Sequence, residues 1–369
     1  MPEANAPAKP PFDYFRIAFF LAALTAIRTI VSPIEIWDGD FSHHANEMIF
    51  GFMLVQLLGF MLKALPRWVG RPILAPHLIR LILVAQALAF LLGLHDLALG
   101  AQLRSIVGLS AIAAFSVTAI RARATQAYPL LGLAAAHAGT GIIAALDLWS
   151  GATMLGFCLI LAICFEVGNR IFPMVIDSGR TRDGRPSRPL PPAWLSLTQR
   201  ITSLLTLLLW AFDLPYGPVA ALAGISGLLW LIRIAPWHAF HYGGVSFMTF
   251  AMVAKRIGFL LLSIQALPGS PIPLAVPQHV LAIGGLASLA VAIATSMVRK
   301  RNGQSFQRSL LGTATYFCLA CALAQRIGYA FHPEYGLSQL HTAQAFWLAG
   351  FAGYAVLVLR RRNTANCAR

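Results

Sequence analysis

Apolar stretches of about 20 residues recur from Phe15 to Leu359, and few charges interrupt them. At ~1.5 Å of rise per residue, each can cross a ~30 Å hydrocarbon core as a helix. Lipid offers the backbone no hydrogen-bond partner, so a segment placed there has to close its own bonds, which a helix does. Composition agrees: hydrophobic residues make up 58% of the 369 positions and charged residues 11%, far below the roughly 25% of a soluble chain. Mean hydropathy is +0.70. The fold class is therefore all-α, a polytopic membrane helix bundle.

The spans are expected at approximately 14–36, 43–65, 77–95, 99–120, 128–149, 151–175, 194–213, 217–235, 239–266, 278–298, 309–330 and 341–360. They form one domain over 1–369: a polar segment 1–12, six spans over 13–176, a loop 177–193, six spans over 194–360 and a tail 361–369. Pro- and Gly-rich breakers such as LPRWVGRP, TRDGRPSRPLPP and LPGSPIP fall at the borders. Two sets of six spans raise the question of a duplication, but no motif recurs at equivalent positions.

A net charge of +15 would suit nucleic acid, yet no soluble domain is available to carry such a surface. Its placement points to membrane orientation instead. Lys63, Arg67, Arg71 and Arg80 lie between the second and third spans, Arg121 and Arg123 after the fourth, and Arg180, Arg182, Arg185 and Arg188 after the sixth. Arg299, Lys300, Arg301 and Arg308 follow the tenth, and Arg360, Arg361 and Arg362 the twelfth. The alternate loops carry Glu35, Asp38, Asp40, Asp96, Asp147, Asp213 and Glu334. The positive-inside rule then puts both termini in the cytoplasm, which requires an even number of spans. The polar, Pro-rich 1–11 segment and the long first apolar run predict a retained first span rather than a cleaved signal.

Ten histidines are the conspicuous feature of a chain this apolar, since imidazole ligates metals and heme iron and is costly bare in lipid. With the topology above, His43, His44, His95, His279, His332 and His341 gather at the outer face. For each one alone, an interfacial position with the ring at the headgroups is the plainer explanation. Together, helices entering from one face can bring two imidazoles to equal depth across an iron. His238 and His241, spaced i, i+3 at the start of the ninth span, would share one helix face at the opposite side. His137, in the middle of the fifth span, reads as a buried, hydrogen-bonded histidine.

Charges inside spans are the second lead. Arg28 and Glu47 are at compatible depths for an ion pair, and Arg28 could equally clamp a carboxylate of a heme. Glu166 and Arg170, i, i+4, are expected to neutralise each other. Lys255 and Arg256 stand mid-way along the ninth span, which predicts a break in the helix or a cavity beside it. Cys158, Cys164, Cys318 and Cys321 fall in apolar spans and form no disulfide framework. The CxxC of Cys318 and Cys321 lacks the histidine of a c-type heme site and reads as small residues for helix packing. No P-loop, GxSxG or HExxH pattern occurs, which leaves NTPase, serine hydrolase and zincin chemistry unsupported.

One segment is more specific. HHANEMIFGFMLVQLLGFMLKALPRWVGRP, His43 to Pro72, resembles the hallmark of the NnrS family, in which a His-x-His-Glu-Met helix runs into an Ala-x-Pro-x-Trp-x-Gly-Arg turn. FRIAFFLAAL, GNRIFPMV, PWHAFHYGGVSF around His241 and QHVLAIGGLASLAVAIATSMVRK follow in family order, so the resemblance covers most of the chain. It implies twelve spans in a bacterial inner membrane, bound heme, copper, and a link to nitric oxide or a nitrosyl species and to denitrification. Carried over by position, it implies His44, Glu47, His241 and His279 as site residues. Three features depart from the pattern. Asn46, a poor metal ligand, replaces the second hallmark histidine; RKRNGQSF stands where Gly-His-Thr-Gly-Arg often follows the tenth span; and Lys255 and Arg256 interrupt an apolar stretch.

The leading expectation is a heme-binding protein, with iron held by His44 and His279, helped by His341, and with Arg28 and Glu47 beside the cofactor. Copper, the second cofactor, would draw on His44, His241 and His279. Beyond the lipid bilayer no nucleic-acid partner is expected. A proton-coupled transporter using Arg28, Glu47, Lys255 and Arg256, or an assembly factor for a respiratory enzyme, are the alternatives.

Overall fold

A computed structural model of the chain describes residues 13–31, 42–214, 216–241, 245–303 and 309–360. Glu35, Asp38, Asp40, Arg308, Arg361 and Arg362, used above for orientation, lie outside the described residues. Twelve long helices and a few 3₁₀ turns account for the fold, with no strand among the described residues.

We number them α1 Tyr14–Val31, α2 His43–Val69, α3 Pro76–Leu92, α4 Leu97–Arg121, α5 Tyr128–Ala145 and α6 Ala152–Arg182 in the first half. The second half holds α7 Ala193–Ala211, α8 Tyr216–Ile234, α9 Ser246–Gln265, α10 Ala275–Arg301, α11 Leu310–Phe331 and α12 Gly336–Leu359. Ten of the twelve are long and apolar enough to cross a membrane, which makes this a multi-pass membrane protein. The two that fall short are α3, with 17 residues, and α7, whose 19 residues include Gln199 and Arg200.

Local chemistry sets the helix ends. Gly70 adopts a left-handed φ of 76° and its N–H reaches Pro66 O, so α2 stops inside the predicted LPRWVGRP breaker. Asp96 and Ser309 cap α4 and α11 by accepting the N–H of Leu99 and Gly312. Two ends differ from expectation. Thirty-one residues long, α6 runs through Arg182, seven residues past the expected border, because IDSGRTR holds no proline and its one glycine, Gly179, costs only about 1 kcal/mol. Ser246 opens α9, later than position 239, because Pro236 and a left-handed His238 interrupt the chain.

Successive helices pack side by side around the bundle, α12 closes against α1, and Phe247 of α9 stacks on Tyr316 of α11 at 3.8 Å. Inside this wall run α2 and α10. Their apolar windows are 83% and 78% buried, against 33–67% for the other spans. They are the second helix of the first six and the fourth of the last six, so they do not occupy equivalent places in the two halves.

Lipid gives helices little hydrophobic reason to associate, so close packing and internal hydrogen bonds hold them together. Gly156 of α6 lies against the Phe50 ring and Gly258 of α9 against Leu281, where any side chain would collide. Gln56 of α2 ties three helices: its Nε2 donates to Ala290 O of α10 at 3.0 Å, and Tyr354 of α12 donates to its Oε1 at 2.9 Å. Trp347 of α12 donates to Ala26 O of α1 at 2.9 Å. Gln56→Leu removes the tie and strands the Tyr354 hydroxyl. It should lower stability by ~1 kcal/mol, read as a drop in the thermal unfolding midpoint of detergent-purified protein.

Candidate functional site

Both inner helices change pitch at the same end of the bundle. After His44, α2 becomes a π-helix over Glu47–Phe52; after His279, α10 does so over Val280–Ala287. A π-turn widens the helix and redirects carbonyls that an α-helix would bond internally. Side chains take these up. His137 of α5 has its ring nitrogens 3.2 Å from Ile49 O and 3.1 Å from Gly156 O, and Ser288 donates to Ile283 O at 2.9 Å. His137 is thus the buried, hydrogen-bonded histidine expected from its position.

Between the two π-segments lies a cavity of about 430 Å³, within the range that holds drug-sized ligands. The end of α1, the starts of α2, α6, α10 and α12, and the last third of α11 enclose it. Its walls are chiefly apolar, with Phe52, Phe157 and Trp347 among them, and three thioethers, Met48, Met53 and Met154, face it as well. His44 and His279 both line it. Two residues 235 positions apart in sequence thus meet at one site.

The hydrogen bonds of the two rings select the ligand tautomer. Nδ1 of His44 lies 3.4 Å from Thr29 O, and Nδ1 of His279 lies 2.6 Å from Ala275 O. A backbone carbonyl can only accept, so each Nδ1 carries the proton and each Nε2 keeps its lone pair, as in metal-bound imidazoles. His279 Nε2 accepts from Arg326, at 3.1 Å from Nε and 2.9 Å from Nη2. Arg326 of α11 lines the cavity, and its contribution was not read from the sequence. Its signal is an arginine one turn from the end of an apolar span, on the side where the histidines gather.

Arg28 and Glu47 are brought together, as their depths predicted, but neither lines the cavity. Glu47 is shared: one oxygen takes Arg28, and the other takes Nη1 of the buried Arg104 of α4 at 2.8 Å. Arg28 also donates to Phe90 O. The group clamps α1, α2 and α4 where α2 turns π-helical.

The other histidines sit elsewhere. His43, His95, His332 and His341 are exposed, as interfacial histidines would be. His341 accompanies Gln344, and His332 accompanies Glu334. Outside the spans, Glu334 is held below the usual carboxylate range by a backbone N–H and by His332. His238 and His241 do not share a helix face, because His238 is left-handed between two 3₁₀ turns; His241 is exposed, 3.1 Å from Arg185. Neither lines the cavity. Asn46 accepts from Thr153 at 2.6 Å. No group of three or more His, Cys, Asp or Glu converges among the described residues.

Two charge pairings differ from expectation. Glu166 does pair with Arg170, at 3.9 Å, but Arg200 of α7 takes both its oxygens more closely, and Arg170 also donates to Gln126 O. A neighbouring helix offered a bidentate fork that the i, i+4 geometry could not. α9 is unbroken through Lys255 and Arg256, which are fully buried and face protein. Aromatic faces hold them: Phe165 and Trp230 lie 4.1 and 4.7 Å from the Arg256 guanidinium. Such contacts contribute about 2 kcal/mol when desolvated, less than the several kcal/mol that burying an ion costs.

A family model described as NnrS protein matches residues 14–361, nearly the whole chain. No curated protein matches it. Replacing Glu47 by Ala should leave Arg28 and Arg104 without their shared counter-charge and cost ~3–5 kcal/mol, seen as loss of folded, monodisperse protein after extraction.

Proposed function

The chain belongs to the NnrS family, and from that premise we propose that it is a heme-binding inner-membrane protein of the bacterial response to nitric oxide. The observation that carries this reading is the placing of His44 and His279 on the two inner helices, both lining one apolar cavity with Nδ1 bonded to a backbone carbonyl and Nε2 left unprotonated. Bound there, heme would supply a redox-active iron. The chain's own residues supply the rest. His44 and His279 would hold the iron, with the Thr29 and Ala275 carbonyls orienting their rings, and Arg326, which donates to Nε2 of His279 in this structure, would be the cation at the wall for an anionic heme substituent. Arg28, engaged by Glu47, supports the helix rather than the ligand.

Copper has less support. With no cluster of three or more His, Cys, Asp or Glu among the described residues and with Asn46 bonded to Thr153, a copper ion would depend on His44 or His279 together with the methionines. The transporter alternative would need Arg28, Glu47, Lys255 and Arg256 along one path. None of the four lines the cavity, and the first two pair with each other while the last two lie against Phe165. We assign twelve spans with both termini in the cytoplasm, counting α3 and α7, because this orientation puts the arginine-rich loops inside. The cavity then opens from the outer half of the membrane.

Protein purified from heme-replete cells should show a Soret band that collapses in His44→Ala and in His279→Ala while the folded yield persists. A colourless wild-type preparation would contradict the assignment.

A further inference from the structure

Arg256 is fully buried, and its Nε, Nη1 and Nη2 have no hydrogen-bond partner among the described residues. Its neighbour Lys255 is equally buried, and its Nζ donates to Cys164 O at 3.2 Å. An arginine stays charged in any protein environment and presents five N–H groups. Phe165 and Trp230 cover the faces of the guanidinium, at 4.1 and 4.7 Å, and leave its N–H edge without an acceptor. The nearest carboxylate along α6, Glu166, has both oxygens on Arg200 and so is not the counter-charge. Neither cation appears in an ion pair among the described residues.

We propose that Arg256 and Lys255 bind a small, singly charged inorganic anion, of the size of chloride or nitrate, between α6, α8 and α9. One such ion supplies both missing elements, a negative charge and acceptors for the guanidinium edge. Phe165 and Trp230 flank the guanidinium. Beside Lys255, Gly168 of α6 carries no side chain, and a Cβ there would stand 3.2 Å from Lys255 Nζ and 3.0 Å from Met252 Sδ. Behind Lys255 is Gly285 of the α10 π-segment, whose other residues Ile283, Leu286 and Ala287 line the cavity. The anion site is thus distinct from the histidine cavity and one helix away from it.

The test uses full-length protein in detergent with gluconate as the only anion, into which chloride, nitrate or sulfate is titrated while tryptophan fluorescence and the thermal midpoint are followed. Trp230, one of the chain's eight tryptophans, lies on the guanidinium and contributes to the signal. Chloride and nitrate should give a saturable fluorescence change and a higher midpoint, sulfate neither. Arg256→Gln should weaken half-saturation by at least about tenfold and, in gluconate alone, be no less stable than the wild type. Equal responses in the wild type and Arg256→Gln, or no response in the wild type, overturn the proposal, the latter being the outcome if buried water satisfies the arginine. Should Arg256→Gln fail to fold, Lys255→Met decides: weaker anion response supports the site, an unchanged one overturns it. The heme band is read in the same samples, so failure here is separable from failure of the heme assignment.

Discussion

A polar group placed in hydrocarbon has to find its partner within the protein, and this constraint decides where chemistry can sit in the chain. Ten helices form the wall. The two that carry His44, Glu47, Gln56, His279 and the π-segments are withdrawn from lipid and surrounded. Only there can a redirected carbonyl be met by a side chain such as His137 or Ser288. The inner pair is therefore the most buried part of the fold, and it carries His44 and His279 to the cavity.

Two of the buried charge groups are closed and one is open. Glu47 serves two arginines from α1 and α4, and Glu166 serves Arg200 from α7, so each ties helices together with its charge compensated. Arg256 has aromatic faces and no carboxylate. The contrast separates scaffolding ions from an ion that invites a ligand. The imidazoles differ as well: His137 has a backbone carbonyl at each ring nitrogen, whereas His44 and His279 meet backbone only at Nδ1, and Nε2 of His279 accepts from a cavity residue, Arg326.

Much of this was legible in the sequence. Run length gave the helices, and the alternation of arginine-rich and acidic loops placed His44 and His279 at one end, where they meet. Matching depths brought Arg28 to Glu47. Partners chosen by helix rotation and neighbour order were not legible: Arg104, Arg200 and Arg326 each come from a helix whose facing side no local pattern fixes. The π-segments also escaped, because EMIFGF and VLAIGGLA are as compatible with an α-helix as with the wider turn. His238 and His241 misled because spacing implies a shared face only inside a helix, and Pro236 had already ended one.

The central claim is that the space between α2 and α10 is a heme pocket. A cryo-electron microscopy map of the protein purified from heme-replete cells tests it most directly. We expect planar density with a metal peak at coordination distance from Nε2 of His44 or His279, and Arg326 turned away from His279. A map with heme bound elsewhere, or with a lipid chain in the cavity and Arg326 still bonded to His279, would contradict the account.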